Sequence, residues 1–348
     1  MSQQSRNGIY LGLPHAEYLA DPALGSSSIK ALAYNPAAFW YNSTLNPYYI
    51  PNRSTNAQTV GSAFHVLTLE GPEVFRERFM VEPGPEYMRT VAEISDFIRK
   101  KGGKPSKLKP QVIDDALALD PEAKIYDVAV MGAAIAGKEI IKADDYALVV
   151  TAAQAISENP ALTGALAGEG RSEVSIFWTE EVDGVSIPFK ARFDRLKPRA
   201  IVDLKKIQPT FGRDFATECR RAIASYRYDI QVEHYFRGRA QFAEFWNAAL
   251  VFGDQDAVDA AEGWGSMCAN AEDYAFCLVF WATGSVPYTW GAVLSPPNPI
   301  LEISRAEIDK ALATYVRCMK EFEPGQPWLE YEPLAEITID ELPAFFAR

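Results

Sequence analysis

Residues 191–208 read ARFDRLKPRAIVDLKKIQ, and this stretch decides how the chain folds. Its apolar residues form two short runs on either side of a Lys197-Pro198-Arg199 turn. Side chains on a strand point alternately to opposite faces, so each run can be sorted by face. In the first, Phe189, Ala191 and Phe193 oppose Lys190, Arg192 and Asp194; in the second, Val202 and Leu204 oppose Ile201, Asp203 and Lys205. Just upstream, EVSIFWTEE (173–181) and SIPFKARFDRL (186–196) read as a hairpin, because the intervening Asp183-Gly184 suits a type I′ turn. On that earlier strand Val174, Ile176 and Trp178 share one face, and Glu173, Ser175, Phe177 and Thr179 the other. With the apolar sides packed on helices, Glu173, Asp194, Asp203 and Lys205 converge opposite them.

The residue types dictate a chemistry. Carboxylates gathered at one point repel each other unless a cation lies between them, and hard oxygen donors suit Mg²⁺ or Mn²⁺. A lysine beside such a site can orient or help deprotonate an attacking water and offset charge on a phosphate. Hydrolysis of a phosphodiester is the reaction class this serves. An Asp-x-Lys pair by itself also describes an ordinary cross-strand ion pair on a surface. Asp194, on the matching face of the preceding strand, favours the catalytic reading.

The remaining chain supplies the setting. With 348 residues, 48% of them hydrophobic, the sequence has ample material for a core. No apolar run is long enough to span a bilayer, so no membrane partner is expected. The opening MSQQSRNGIYLGLPHAEY has neither the basic start nor the apolar stretch of an export signal. Cys219, Cys268, Cys277 and Cys318 are scattered without metal-ligand spacing, which fits reduced thiols in a cytoplasm. A net charge of −12 argues against nucleic acid at first sight. Yet residues 188–228 hold eleven basic residues against four acidic ones, and a second basic cluster, RKKGGKPSKLK, spans 99–109. Both clusters can equally be solvated loops and strand edges.

Helical patterns surround the strands. Residues 26–42 read as a helix capped by Ser26, Ser27 or Ser28 and broken at Pro36. Residues 59–70 read as another, with Val60, Phe64 and Leu67 on one face and Gly61 and His65 on a second. Residues 97–110 read as a mobile Gly/Pro/Lys-rich loop, followed by helical patterns near 111–119, 122–135 and 143–157. Further helices are expected near 212–224 and 227–243, and strands at 274–283 and 288–295. The last helix is expected to open at Ser304, with Glu307 completing a capping box, and to run to Glu321.

Asp194, Asp203 and Lys205 resemble the D-x(n)-D-x-K signature of PD-(D/E)XK nucleases. Downstream, YRYDIQVEHY (226–235) resembles the Gln-x-x-x-Tyr helix of the exodeoxyribonuclease VIII-like branch, the prophage recombination exonucleases. VGSAFHVLTLEGPEVFRERF (60–79) resembles that branch's histidine motif, and GIYLGLPHAEYLADPALGSSSIKALAYNPAAFWY (8–41) the opening of its nuclease domain. The motif order matches from Gly8 to Trp328, with an insertion around 97–135.

The resemblance implies an α/β (α+β) fold with a restriction-endonuclease-like core, a central mixed sheet flanked by helices. It divides the chain into 1–160, a helical part with the histidine motif and the basic insertion, and 161–348, the nuclease core, within one compact unit. By resemblance, His65, Asp194 and Asp203 are metal ligands, the Leu204 carbonyl is an additional one, and Glu173 matches an acidic position before the first strand. Lys205 positions water, while Gln231 and Tyr235 face the DNA or buttress the site. Arg192, Lys206, Arg213 and Arg227 are the expected DNA contacts in the basic window.

The activity implied is Mg²⁺-dependent degradation of linear double-stranded DNA from 5′ ends, with Mn²⁺ able to substitute, by a bacterial or phage-encoded cytoplasmic protein. A ring-shaped homo-oligomer working beside a single-strand annealing recombinase is implied as well. No cysteine precedes Cys219, so no iron–sulfur cluster is expected. Lys206 stands where the family has a small hydroxyl residue, and the insertion has no family counterpart. An endonuclease of the same fold and a non-catalytic DNA-binding scaffold are the rival readings.

Overall fold

Asp183 and Gly184 both adopt left-handed backbone, with φ of 48° and 75°, which makes the type I′ turn that the hairpin requires. The computed structural model describes residues 6–50, 55–284, 286–329, 331 and 334–342. Nine strands are present among them: β1 (Gly8–Tyr10), β2 (Phe79–Val81), β3 (Glu139–Ile141), β4 (Arg171–Val182), β5 (Val185–Lys197), β6 (Ala200–Ile207), β7 (Val251–Phe252), β8 (Ala275–Ala282) and β9 (Thr289–Leu294). Seven form one sheet in the order β7-β1-β4-β5-β6-β8-β9, while β2 and β3 pair separately. The sheet is mixed: β1 runs parallel to β7 and β6 parallel to β8, whereas the other neighbours are antiparallel. Because β1 lies between β4 and β7, residues 8–10 are part of the same sheet as the central hairpin.

Helices cover both faces. On one lie α1 (Ser26–Tyr34), α8 (Phe215–Ser225), α9 (Tyr228–Ala240) and α10 (Pro299–Glu321). Their Ile29, Cys219, Ile230 and Ile308 pack with Phe189, Ala191, Phe193 and Ile201 of the sheet. The other face receives α2 (Asn56–His65), α6 (Ala143–Glu158) and α7 (Pro160–Leu166). There Val60, Phe64, Val149 and Leu162 pack with Val202, Leu204, Val279 and Trp281. The alternation along β6 is therefore used in full, Ile201 going to one core and Val202 and Leu204 to the other. This is why the sequence around β6 reads as nearly continuous apolar residues broken only by charges.

Three helix boundaries differ from the expectations. Residues 26–42 split into α1 and a short helix at Pro36–Tyr41, capped by Asn35, whose side chain accepts from the Ala38 N–H. Gly25, not a serine, is the N-cap of α1. The final helix begins at Pro299 rather than Ser304, because Asn298 caps it and proline suits a first helical turn. Ser304 is instead buried inside α10, its Oγ 2.8 Å from Asp229 Oδ2 and 2.9 Å from the Ile300 carbonyl.

Within the insertion, residues 101–108 form a loop, shorter than the expected 97–110, and helices flank it. Helices α3 (Val91–Lys100), α4 (Lys109–Leu119) and α5 (Tyr126–Ile135) occupy the insertion. A separate core of Ile94, Ile98, Val112, Ala116 and Ile125 holds α3 to α4. The turn at 197–199 also has a definite role: Lys197 Nζ donates to the carbonyls of Gly164 and Ala165 at the end of α7, at 2.9 and 3.1 Å. No helix among the described residues is long and apolar enough to cross a membrane.

Candidate metal centre

β5 and β6 are bonded only where Arg195, Leu196 and Lys197 face Val202, Ile201 and Ala200. Beyond Val202 the ladder stops, and the Leu204 N–H needs another acceptor. It donates to Asp194 Oδ2 at 2.9 Å. The end of α2 brings His65 to the same place, with Nδ1 3.5 Å from Asp194 Oδ2 and Nε2 3.2 Å from the Leu204 carbonyl oxygen. A π-helical turn over Val66–Glu70 follows directly after His65, a local distortion of the kind that recurs at functional sites.

Glu173 completes the cluster. The β4–β5 register, with Ser172 opposite Arg195 and Val174 opposite Phe193, sets position 173 across from Asp194. The Glu173 backbone is left-handed there, with φ of 56°. One donor atom from each of His65, Glu173 and Asp194 lies within 4.8 Å of the others. Burial, and then the Asp194 charge, pushes the Glu173 carboxyl up to about 6, against the pull of Arg192 and His65. Burial and the Asp194 charge thus outweigh the Arg192 guanidinium, which lies 3.4 Å from Glu173 Oε2. An imidazole nitrogen with two carboxylates is a donor set that fits a divalent cation.

Asp203 and Lys205 form a second group beside this one. Asp203 is buried, with Oδ1 accepting from Gln231 Nε2 at 2.7 Å and Oδ2 2.5 Å from Lys205 Nζ. Oδ2 has this ammonium contact but no hydrogen bond of good geometry. Burial raises the proton affinity of Asp203; Lys205 draws it down again and Asp194 adds to the rise. For Lys205, burial lowers the pKa, but Asp203 and Asp194 outweigh it and the net shift is upward. The four charged residues expected to converge thus divide in two. Glu173 and Asp194 join His65, while Asp203 joins Lys205 and Gln231. The Leu204 carbonyl, expected as a ligand, faces His65 Nε2.

The other expected site residues are largely structural ties. Tyr235 is buried with its ring edge-on to Phe193 at 5.5 Å, so it buttresses the sheet beneath the site. Arg192 is buried, donating to Ser175 Oγ at 2.8 Å and lying 3.4 Å from Glu173 Oε2, so it steadies the candidate cluster instead of meeting solvent. Lys206 Nζ donates to the Ala57 carbonyl in α2. Arg227 pairs with Asp229 and Glu307 at 2.8 and 2.6 Å. Arg213 is exposed and 3.2 Å from Glu218.

Lys30 is a neighbour of the site that sequence reasoning missed. Its Nζ lies 5.0 Å from the centre of the Tyr228 ring, and Lys205 Nζ lies 4.8 Å from that same centre. Burial, and then the Lys205 charge, pulls its ammonium down to about 8. It lies within the 8–41 motif, but nothing in that motif singles it out, since it comes from α1, far from β6 in the chain.

Comparison with known proteins places this geometry. Among solved structures, a candidate exonuclease from Eubacterium rectale is 17% identical, covering 74% of this chain and 93% of that one, with a TM-score of 0.33. The protein SSO0001 is 12% identical, covering 78% of this chain and 90% of its own, with a TM-score of 0.25. No curated protein sequence matches. The profile of the PDDEXK-like domain of unknown function (DUF3799) matches residues 25–247, a span that holds His65, Glu173, Asp194, Asp203, Lys205 and Gln231. The chain belongs to this PDDEXK-like family.

Proposed function

We propose that this protein is a metal-dependent exodeoxyribonuclease that hydrolyses phosphodiester bonds of linear double-stranded DNA, from 5′ toward 3′, in phage-type recombination. The observation that carries the reading is the adjacency of the His65–Glu173–Asp194 cluster to the Asp203–Lys205 pair where β5 and β6 part. Mg²⁺ is the expected ion, and the imidazole donor makes Mn²⁺ a good substitute. Bound there, a divalent cation supplies Lewis acidity and a countercharge for the phosphodiester.

The chain's own residues do the rest. Arg192 and Ser175 fix Glu173, and the Leu204 N–H fixes Asp194. Gln231 holds Asp203, and Asp203 holds Lys205. Asp203 and Asp194 favour the ammonium form of Lys205, which is placed to orient water and offset phosphate charge. Lys30 adds a second ammonium nearby.

The preference for ends, the direction, the annealing partner and the ring-shaped oligomer rest on the resemblance in motif order to prophage recombination exonucleases. Incubation of linear and covalently closed duplexes of equal length with Mg²⁺ tests the exonuclease assignment. Linear DNA is expected to disappear while circles persist. Circles cut as fast as linear DNA would make the protein an endonuclease.

A further inference from the structure

We propose that the helical insertion formed by α3 and α4 is a second duplex-DNA-binding element, gripping the phosphate backbone through Lys100, Lys104 and Lys107. The inference rests on the reading of the protein as a DNA-handling enzyme, and it assigns a binding surface outside the metal centre. The insertion has its own core, and a capping box joins Thr90 to Glu93 at the start of α3. Its connection is fastened down at three points. The Gly103 N–H donates to the Ile98 carbonyl at 2.9 Å, the Gly102 N–H to the Arg99 carbonyl at 3.0 Å, and the Ser106 N–H to Asp115 Oδ2 at 2.8 Å. Gly103 packs so closely that a Cβ there would meet Leu119 Cδ1 at 2.6 Å.

On this ordered frame, residues 99–109 carry six basic side chains and no acidic one. Half of that charge is neutralised within the module: Arg99 by Asp96 at 2.6 Å, Lys101 by Asp120 at 3.0 Å and Lys109 by Asp127 at 2.7 Å. Lys100, Lys104 and Lys107 are exposed, and no carboxylate pairs with them among the described residues. The molecule as a whole carries −12, so it repels a polyanion except where positive charge is concentrated and unpaired. By contrast, all four cations first expected to meet DNA are engaged with the protein's own carbonyls, hydroxyls or carboxylates. The module supplies what they do not. Lysines on a loop meet phosphates without reading bases, so this element is expected to bind duplex regardless of sequence.

The test compares the full-length protein with a Lys100→Gln, Lys104→Gln, Lys107→Gln triple variant in a fluorescence-anisotropy titration. The probe is a blunt duplex of about 30 base pairs in a buffer without divalent cations, over about 50–200 mM salt. The variant is expected to bind at least about 10-fold more weakly at the lowest salt. Its log–log salt slope should be shallower by up to about 3, near 0.9 for each phosphate that is no longer neutralised. Equal affinity and equal slope would overturn the proposal, as would lysine-dependent binding to anionic phospholipid vesicles with none to DNA. The assay reads binding alone. A wild-type protein that binds through these lysines yet never cleaves DNA would remove the nuclease reading and leave this one. Cleavage accompanied by lysine-independent binding would do the reverse.

Discussion

Asp203 is held from two sides, by Gln231 and by Lys205, and the two interactions have separable consequences. Gln231→Leu leaves Oδ1 buried without a donor, a loss of about 1–3 kcal/mol that equilibrium denaturation will register. A stability equal to wild type would mean that the bond contributes nothing. His234, three residues further along α9, gives a pH dependence. Its Nε2 meets the Lys190 carbonyl at 2.9 Å, its Nδ1 has no hydrogen-bond partner among the described residues, and its ring lies 5.0 Å from Trp178. Burial drives its pKa from 6.5 to about 4, although the Lys190 carbonyl opposes the shift. The folded state therefore demands a neutral ring. Its contribution is intact above pH 6.5 and is lost as pH falls toward 4, on the order of 3 kcal/mol in all. His234→Phe should flatten the loss of stability between those pH values, and an unchanged profile would contradict the assignment. At this scale the sequence was informative where strand alternation applied. Asp194, Asp203 and Lys205 announced themselves as charges at every second position. Lys190 and Arg192 fell in the same pattern yet are buried, because helices and the N-terminal segment cover that face too. Which face closes is a tertiary fact that alternation alone does not contain.

At the scale of elements, α2 links the second core to the candidate metal cluster. Phe64 stacks on Trp281 with ring centres 4.0 Å apart, and the next residue is His65. Phe64→Ala is expected to cost about 3–5 kcal/mol in a denaturant melt. Because the cavity frees the end of α2, divalent-cation affinity should weaken as well. A large loss of stability with unchanged cation affinity would show that His65 is placed independently of this stack. The β4–β5 hairpin was legible from Asp183-Gly184 and its flanking alternation, since local turn chemistry governs it. The start of α10 was misplaced because Ser304 and Glu307 imitate a capping box, while Asn298 and Pro299 form the signal that the backbone uses. β1 and β7 could not be seen: strands of three and two residues carry too little pattern, and neighbours in the sheet define them.

For the whole molecule, the fold of a chain with net charge −12 brings Arg192, Lys205 and Lys30 to the neighbourhood of Glu173, Asp194 and Asp203. The sheet divides two cores, and the candidate metal cluster sits where the β5–β6 ladder ends; α2 reaches it from one face, while α9 reaches the adjoining Asp203 from the other. That α2 and α9 approach the end of this ladder from opposite faces could be anticipated only through the resemblance in motif order, because no local physics connects residues so far apart. The nuclease reading stands or falls with His65, Glu173 and Asp194 as holders of the cation on which phosphodiester cleavage depends. The decisive measurement is cleavage of an end-labelled linear duplex by wild type and by Asp194→Asn, each with Mg²⁺ and with chelator. Wild type is expected to cleave with Mg²⁺, to stop in chelator, and to exceed the variant at least about 100-fold. Cleavage that survives both the chelator and the substitution would contradict this assignment.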